Sequence, residues 1–155
     1  QVLKEATVLT KEGEILTLSA EELELGYRTS NVITCGYTVL SGTLSLKEGD
    51  PSEIKKQMDE YSMARKTKQP LELPSAGSTF KRPEGYFAGK LIDDAGLRGY
   101  QVGGARVSDK HCGFVVNQEN ATAKDVLQLI EDVQKTVKEK FGVDLEPEVK
   151  RVGKF

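Results

Sequence analysis

One segment constrains the fold more than any other, because it carries helix signals at both ends and an apolar face between them. Thr122 and Asp125 have the spacing of a capping box, in which each side chain binds the other residue's backbone N–H. Gly142 suits a left-handed cap at the C-terminal end. Between these ends apolar side chains recur at helical spacing: Val126, Leu129, Ile130, Val133 and Val137. The pattern predicts an amphipathic helix with one face turned towards a core.

The rest of the chain mixes helix signals with runs of β-branched and aromatic residues. Asp50-Pro51 predicts the start of a helix that runs to about Lys68. Residues 85–96 predict a shorter helix, with Phe87 among the residues of its apolar face. Runs rich in β-formers and bounded by turn residues predict strands at residues 6–10, 15–18, 31–40, 42–46, 100–108, 113–117 and 143–152. These elements together predict an α+β fold.

Composition argues against several classes of function. The chain has 155 residues, with 22 Lys and Arg against 24 Asp and Glu and a net charge of −2, so we expect no nucleic-acid partner. No apolar run approaches the roughly 18 residues that span a bilayer, so we expect a soluble protein without a membrane partner. Cys35 and Cys112 lack the spacing of a zinc site, and the chain has a single histidine. We therefore expect no metal, and two reduced cysteines in or near the core.

Residues 71–83 differ in composition from the segments around them, because they are rich in Pro, Ser, Gly and Lys. This composition indicates a domain junction and a candidate binding loop. Ser75-Ala76-Gly77-Ser78 places hydroxyls and backbone N–H groups beside a glycine, where a ligand can approach closely. An ordinary turn explains the same residues. Gly103-Gly104 would also allow close approach of a ligand, but a β-bulge is the simpler interpretation. The sequence contains no glycine-rich dinucleotide-binding or P-loop motif.

Four further residues have a structural and a functional interpretation. His111 is the only histidine, and it is either a structural or exposed residue or a catalytic one. Glu146 and Glu148 flank Pro147, and strand alternation would put them on one face, either as solvent-facing carboxylates or as a paired site. Arg28 is most simply a surface arginine. Residue chemistry by itself leaves these alternatives open.

Five segments, taken in order, resemble the motifs of one family. They are Gly26-Tyr27-Arg28-Thr29-Ser30, Ser75 to Pro83, Ala88-Gly89-Lys90-Leu91-Ile92, Gly103 to His111, and Leu145-Glu146-Pro147-Glu148-Val149. Together they resemble the C-terminal part of UDP-N-acetylenolpyruvoylglucosamine reductase, the MurB family. One such motif would be weak evidence, whereas five in this order and spacing are specific. The resemblance extends over essentially the whole chain.

The resemblance implies a bacterial, cytoplasmic flavoenzyme of peptidoglycan synthesis with FAD and NADPH as cofactors. In such an enzyme NADPH reduces FAD, and a hydride then passes to the enolpyruvyl double bond of UDP-N-acetylglucosamine enolpyruvate. The product is UDP-N-acetylmuramate. Hydride addition leaves negative charge delocalised into the substrate carboxylate, so the reaction needs a group that stabilises this charge and a proton donor.

The resemblance also implies roles for individual residues. Ser78 aligns with the family's proton donor, Arg28 with the arginine that stabilises the enolate, and Glu148 with the active-site glutamate. Positions that line the UDP-sugar pocket align with Tyr27, Lys81, Arg82, Arg98 and His111. At two of these, Arg82 and His111, some members have asparagine and glutamine instead.

The resemblance divides the chain into three parts. Residues 1–70 would be the end of a FAD-binding domain, residues 71–141 a substrate-binding domain, and residues 142–155 a closing strand that carries Glu148. The family's main flavin-binding segments lie upstream of the position that Gln1 matches. We therefore expect a fragment that lacks its N-terminal flavin-binding partner segment, does not retain FAD and has little activity alone.

Two other functions compete with the reductase. One is a non-catalytic module that binds a UDP-sugar or another nucleotide. The joint presence of Arg28, Ser78 and Glu148 argues against it, because binding alone does not require these three side chains. The other is a purely structural interaction domain, which would show no saturable binding of a UDP-sugar.

Overall fold

The computed structural model describes residues 2–153, which form two compact units that divide between Ile54 and Lys55. Helices and strands are both present, and the predicted α+β class is confirmed. The predicted boundary at residue 70 between a flavin-binding and a substrate-binding part stays a prediction. Within the described residues, no helix combines the length and the apolar character that crossing a membrane requires.

The first unit is built on a three-stranded antiparallel sheet with the strand order β2-β1-β3. β1 (Leu3–Leu9) and β2 (Ile15–Ser19) form the hairpin that the sequence predicts. β3 (Thr38–Leu44) pairs with the other edge of β1 and replaces the two strands predicted in this region. The side chains of Val8 and Leu23 are fully buried and contribute to the core of this unit.

The strand predicted over residues 31–40 is wrong in its first half, which forms the short helix α1 (Asn31–Cys35). Its C-terminal cap explains the difference: Gly36 has a φ of 71° and donates its N–H to the Ile33 carbonyl at 3.2 Å. This local cap outweighs the β-propensity of the Val, Ile and Thr residues in the helix. Cys35, predicted in or near the core, is exposed, because α1 buries none of its residues.

α2 (Pro51–Lys68) begins where the sequence predicts. One carboxylate oxygen of Asp50 accepts hydrogen bonds from the backbone N–H groups of Ser52 at 2.8 Å and Glu53 at 3.1 Å. Hydrogen bonding to the Ser52 hydroxyl and to these N–H groups holds the pKa of Asp50 below its ordinary value. Every residue of α2 is exposed, so the helix contributes nothing to the core of the described structure.

Besides residues 55–68 of α2, the second unit contains a four-stranded antiparallel sheet with the order β4-β7-β6-β5 and two further helices. In chain order the elements are β4 (Ser75–Ser78), α3 (Ala88–Asp94), β5 (Gln101–Val102), β6 (Ala105–Val107), β7 (Phe114–Asn117) and α4 (Ala123–Phe141). Residues of both helices and of the sheet share one core, which includes Leu91, Ile92, Val107, Val115, Leu129 and Val133.

α4 confirms the predicted amphipathic helix and both of its ends. Thr122 Oγ1 accepts from the Asp125 N–H at 3.2 Å, and Asp125 Oδ2 accepts from the Thr122 N–H at 2.8 Å, which completes the capping box. Gly142 has a φ of 71° and caps the other end. Four of the five apolar residues named in the prediction are fully buried: Leu129, Ile130, Val133 and Val137.

Two predictions near the sheet are wrong. Phe87 lies just before α3 rather than within it, and its side chain is 60% exposed instead of lying on the buried face. Gly103-Gly104 forms the turn of the β5–β6 hairpin rather than a bulge, since Val102 pairs directly with Ala105. A Cβ atom on Gly104 would lie 2.1 Å from the carbonyl oxygen of Glu119, so the close approach here is to the chain's own backbone.

The strand predicted over residues 143–152 does not form within the described part of the chain. One isolated bridge pairs Pro147 with Phe80. Proline has no N–H to donate, which explains why pairing does not extend into a regular ladder at this point. The segment still returns to the sheet, because the Leu145 side chain is buried in the core.

Candidate functional site

A β-bulge presents Ser78 at the end of the edge strand β4. Ser75 pairs with Val116 and Ser78 pairs with Phe114, so β4 has one more residue than β7 between these two pairs. Gly77 has a φ of 84°, a conformation that residues with a side chain rarely adopt. Bulges of this kind redirect side chains, and they are frequent beside active sites. The predicted serine loop is therefore a distorted strand end, and its Ser78 is exposed.

The segment around Pro147 brings Glu148 to the residue that follows Ser78. The Glu148 N–H donates to the Thr79 carbonyl at 2.9 Å, and the Lys81 N–H donates to the Glu146 carbonyl at 2.8 Å. These bonds join residues that are more than 60 positions apart in the sequence. The structure thus joins the backbone of Glu148 to Thr79, the residue that follows Ser78, so two of the three predicted catalytic residues lie on adjoining segments.

Thr79, which the sequence analysis did not single out, anchors this junction to the sheet. The residue is 2% exposed, and its Oγ1 accepts a hydrogen bond from the buried Val115 N–H at 3.0 Å. Its own N–H donates to the Gly113 carbonyl at 2.8 Å. A hydroxyl-bearing, β-branched residue directly after Ser78 was the only signal available in the sequence.

Lys81 and Glu146 form an ion pair beside the junction, between Lys81 Nζ and Glu146 Oε1. Their side chains are 34% and 69% exposed, so water screens the pair and its contribution to stability is small. The lysine of such an exposed pair can exchange its carboxylate partner for another anion. Glu146 thus has a charge partner in the structure.

Arg82 lies against the exposed aromatic ring of Phe87. The guanidinium carbon is 4.0 Å from the ring centroid, and Arg82 Nε donates to the Tyr86 carbonyl at 3.3 Å. The side chains of Tyr86 and Phe87 are both exposed. An exposed aromatic pair with a cation over one ring is a surface on which planar groups stack.

His111 lies in the turn between β6 and β7, and one tautomer explains its contacts. Its Nδ1 accepts a hydrogen bond from the Gly113 N–H at 3.1 Å, so the proton of the neutral ring is on Nε2. The ring packs edge-on against Phe114, with 5.1 Å between centroids. A Cβ atom on Gly89 of α3 would lie 3.2 Å from His111 Cε1, so the turn packs closely on that helix.

Arg98 is held by acidic and backbone acceptors of its own unit. Its Nε and Nη2 donate to the two carboxylate oxygens of Asp93 at 2.9 and 2.6 Å, and its Nη1 donates to the Asp109 carbonyl. The hydrogen bonds from Arg98 hold the pKa of Asp93 below its ordinary value, so this carboxylate stays charged.

Tyr27 and Arg28 belong to the first unit, where they form a tight turn. Gly26 and Thr29 close this turn with reciprocal backbone hydrogen bonds of 3.0 and 3.4 Å. Arg28 has a φ of 58°, which is uncommon for a residue with a side chain. Its guanidinium carbon is 5.8 Å from the centroid of the Tyr27 ring. Backbone strain of this kind is frequent at ligand-binding positions.

A cavity of about 360 Å³ opens between β4, β7 and α4. Its walls are mostly apolar and include Ser75, Val116, Ile130 and Val149. Ser78 and Glu148 are not among the residues that line this cavity. In the described residues, no three His, Cys, Asp or Glu side chains form a cluster that could hold a metal ion.

The fold and these side chains define a class: an α+β domain that carries a serine hydroxyl and a carboxylate on adjoining segments, together with an exposed ion pair and a cation stacked on an exposed aromatic ring. Comparison with known proteins gives the family. A sequence model described as UDP-N-acetylenolpyruvoylglucosamine reductase, C-terminal domain, matches residues 69–152. The chain belongs to this family, the UDP-N-acetylenolpyruvoylglucosamine reductases, and the resemblance seen in its motifs is confirmed.

Similar proteins match nearly the whole chain. The chain is 66% identical over 151 residues to a UDP-N-acetylenolpyruvoylglucosamine reductase of Lachnoclostridium phytofermentans, covering 97% of this chain and 49% of that protein. It is 62% identical over 151 residues to one of Exiguobacterium sibiricum, with 97% and 50% covered. A crystal structure of the reductase from Thermus caldophilus matches with a TM-score of 0.78 and 39% identity, over 95% of this chain and 52% of that one. The chain spans about half the length of the curated relatives it matches.

The two long helices, α2 and α4, do not provide the usual cradle for the pyrophosphate of a flavin dinucleotide. Such a group binds backbone N–H groups at the N-terminus of a helix. Asp50 caps the N-terminus of α2, and Thr122 and Asp125 cap that of α4, so side-chain oxygens already occupy these positions. Two of these residues are acidic and would repel a phosphate. The described residues therefore do not fit the pyrophosphate of FAD at these helices.

Proposed function

We propose that this chain provides the substrate-binding domain and the acid–base residues of a UDP-N-acetylenolpyruvoylglucosamine reductase. The reaction is the NADPH-dependent, FAD-mediated reduction of UDP-N-acetylglucosamine enolpyruvate to UDP-N-acetylmuramate, a step of peptidoglycan synthesis in the bacterial cytoplasm. The observation that carries the proposal is the backbone junction that places Glu148 beside the residue after Ser78. Membership of the reductase family supports it.

The chemistry of the substrate sets the task of each residue. When FAD is bound to the intact enzyme, it supplies the hydride. Addition of hydride to one alkene carbon places negative charge on the other, from where it delocalises into the carboxylate. The protein has to stabilise this charge and then protonate the carbon.

Ser78 is the proposed proton donor, through its Oγ–H. An unperturbed serine hydroxyl is a poor acid, so its position relative to the substrate and to a charged neighbour decides its competence. The bulge at Gly77 turns Ser78 out of the regular strand, and Thr79 fixes the strand end behind it. Glu148, on the adjoining segment, is proposed to polarise the intermediate or to relay the proton.

Arg28 is the proposed stabiliser of the enolate. Its guanidinium is permanently charged and planar, so it can hold a carboxylate through two hydrogen bonds. The left-handed backbone of Arg28 supports a specialised role for its turn, because such a conformation is disfavoured for a residue with a side chain.

The UDP-sugar is proposed to bind Tyr27, Lys81, Arg82 and His111. Lys81 can exchange Glu146 for a phosphate oxygen, since their ion pair is exposed. The stacked Arg82 and Phe87 provide a cation and an aromatic surface for the nucleotide. His111 carries an Nε2–H donor that suits an oxygen of the sugar or the diphosphate.

The proposal is tested in a chimeric reductase, in which this chain replaces the matching half of the Lachnoclostridium phytofermentans protein. Ser78→Ala should lower the rate of substrate reduction by about 10²-fold or more, because general acid catalysis contributes on that scale. NADPH oxidation in the absence of the sugar substrate should stay unchanged. Ser75→Ala is the matched control, since this serine lies in the same strand and is also exposed.

Three outcomes would overturn the proposal in different ways. Equal loss of both half-reactions in Ser78→Ala would contradict the role of proton donor. A chimera that binds the UDP-sugar saturably but never oxidises NADPH would support the non-catalytic binding module instead. Absence of saturable UDP-sugar binding in calorimetry would support a structural interaction domain.

A further inference from the structure

The guanidinium of Arg98 has three of its five N–H groups engaged within the second unit. Two of them donate to the carboxylate of Asp93 and one to the carbonyl of Asp109. The ion pair is bidentate, with the side chains 45% and 42% exposed. Bidentate pairs fix the plane of a guanidinium as well as its position. Arg98 is therefore an oriented group rather than a mobile surface cation.

The surroundings of Arg98 are unsuited to a phosphate. The charge of Asp93 opposes that of Arg98 at contact distance, and the nearby Asp109 carboxylate pairs with Arg106 at 2.7 Å. A diphosphate that approached Arg98 would meet two carboxylates. Lys81, by contrast, has a single exposed acidic partner.

The contact with Asp109 lies at the start of the turn that carries His111. Within this turn the N–H groups of Lys110 and His111 both donate to Ser108 Oγ, at 3.2 and 3.3 Å. The Asp109 carbonyl points outwards to Arg98. Arg98 thus connects the end of α3, through Asp93, to the backbone of this turn.

We propose that Arg98, held in place by Asp93, is a positioning residue that fixes the turn and makes His111 present its Nε2–H to an oxygen of the nucleotide sugar. This assignment replaces direct contact between Arg98 and the substrate. The part that concerns the hydrogen bond from His111 to the substrate rests on the proposed reductase function. Loss of the ion pair frees the Asp109 carbonyl to move. The hydrogen bond from the Gly113 N–H to His111 Nδ1 then weakens, and the imidazole is no longer held in the tautomer with its proton on Nε2.

The first test needs no substrate, because His111 is the only histidine and gives a single set of imidazole ¹⁵N signals. In the 155-residue chain at a pH where the ring is neutral, we expect the signature of a proton on Nε2. Asp93→Asn and Arg98→Ala should convert it to an average of both tautomers. Asp94→Asn is the matched control: it breaks the neighbouring Lys90–Asp94 pair of the same helix and leaves the Arg98–Asp93 pair in place.

Amide spectra of each variant establish that the second unit remains folded. If Arg98→Ala unfolds it, Asp93→Asn and Arg98→Lys carry the test, because they retain most of the packing. An unchanged Nε2–H signature in a folded Asp93→Asn or Arg98→Lys variant would overturn the positioning role.

The second test uses the KM for the enolpyruvyl UDP-sugar in the chimeric reductase. A positioning role predicts that Asp93→Asn and Arg98→Ala both raise KM by about tenfold, the loss expected for one hydrogen bond to a charged acceptor, with kcat little changed. Direct binding of phosphate by Arg98 predicts opposite effects. Arg98→Ala would raise KM, whereas Asp93→Asn would lower it or leave it unchanged, because the guanidinium loses a competing carboxylate.

The experiments distinguish failure of the reductase proposal from failure of the positioning role of Arg98. A chimera without NADPH-dependent reduction contradicts the reductase function, and the tautomer of His111 still decides whether Arg98 fixes the turn. A changed tautomer together with an unchanged KM in Asp93→Asn would contradict the part of the proposal that concerns substrate binding.

Discussion

The hydroxyl group of Thr79 holds the end of β4 to the sheet, and removing it tests the arrangement on which the site depends. Oγ1 accepts from the buried Val115 N–H at 3.0 Å. Thr79→Val keeps the shape of the side chain and leaves that N–H without an acceptor. An unsatisfied buried group costs about 1–3 kcal/mol, so we expect the free energy of unfolding of the second unit to fall by about 2 kcal/mol.

Two variants separate the hydrogen bond from other effects. Thr79→Ser keeps the acceptor and loses one methyl group, which should cost about 1 kcal/mol. Thr17→Val makes the same chemical change at an exposed position of β2, where we expect an effect within about 0.5 kcal/mol.

Urea denaturation and amide hydrogen exchange provide the measurements. In Thr79→Val the urea midpoint should fall with an unchanged m-value, and the Val115 amide should exchange faster than in the wild type. A Thr79→Val protein that matches the wild type within about 0.5 kcal/mol and keeps Val115 protected would refute the reasoning. The hydroxyl would then not be what fixes the strand end behind Ser78.

Two further predictions concern the cap of α4 and the cysteines. Thr122→Ala should cost about 0.5–2 kcal/mol in urea denaturation, and Thr122→Ser should recover most of that loss. Hydrogen bonds from Thr122 hold the pKa of Asp125 below its ordinary value, so its contribution to stability is present above the ordinary pKa and is lost as pH falls through the folded-state pKa. Asp125→Asn should flatten this acid limb of a stability–pH curve, and an unchanged limb would contradict the assignment. In the native chain a thiol reagent should modify the exposed Cys35 first, whereas Cys112, whose pKa burial raises, should react only after unfolding. Peptide mass spectrometry measures the order, and earlier labelling of Cys112 would contradict it.

Local signals in the sequence predicted the elements that local chemistry determines. The ends of α4 follow from the Thr122–Asp125 box and from Gly142, and its buried face follows from helical spacing. The N-terminal hairpin follows from two β-rich runs and the turn between them. These elements can be predicted from the sequence because each depends on residues only a few positions apart.

Contacts between distant residues explain what the sequence did not predict. The approach of Glu148 to Thr79 depends on a backbone pairing across more than 60 positions, and only the family resemblance pointed to Ser78 and Glu148 as partners. β-propensity at residues 31–35 was outweighed by the cap at Gly36. Arg98 was assigned to the UDP-sugar pocket through the family resemblance, whereas its bidentate pair with Asp93 could not be predicted from the sequence.

Ser78 and Glu148 are proposed to serve the same proton transfer. A double-mutant cycle of Ser78→Ala and Glu148→Gln tests it most directly, with the rate of substrate reduction in the chimeric reductase as the readout. Residues that act as a unit give strongly non-additive effects. We expect the double variant to be no slower than the slower single variant. Effects that multiply, so that the double variant loses the product of the two single losses, would contradict the claim.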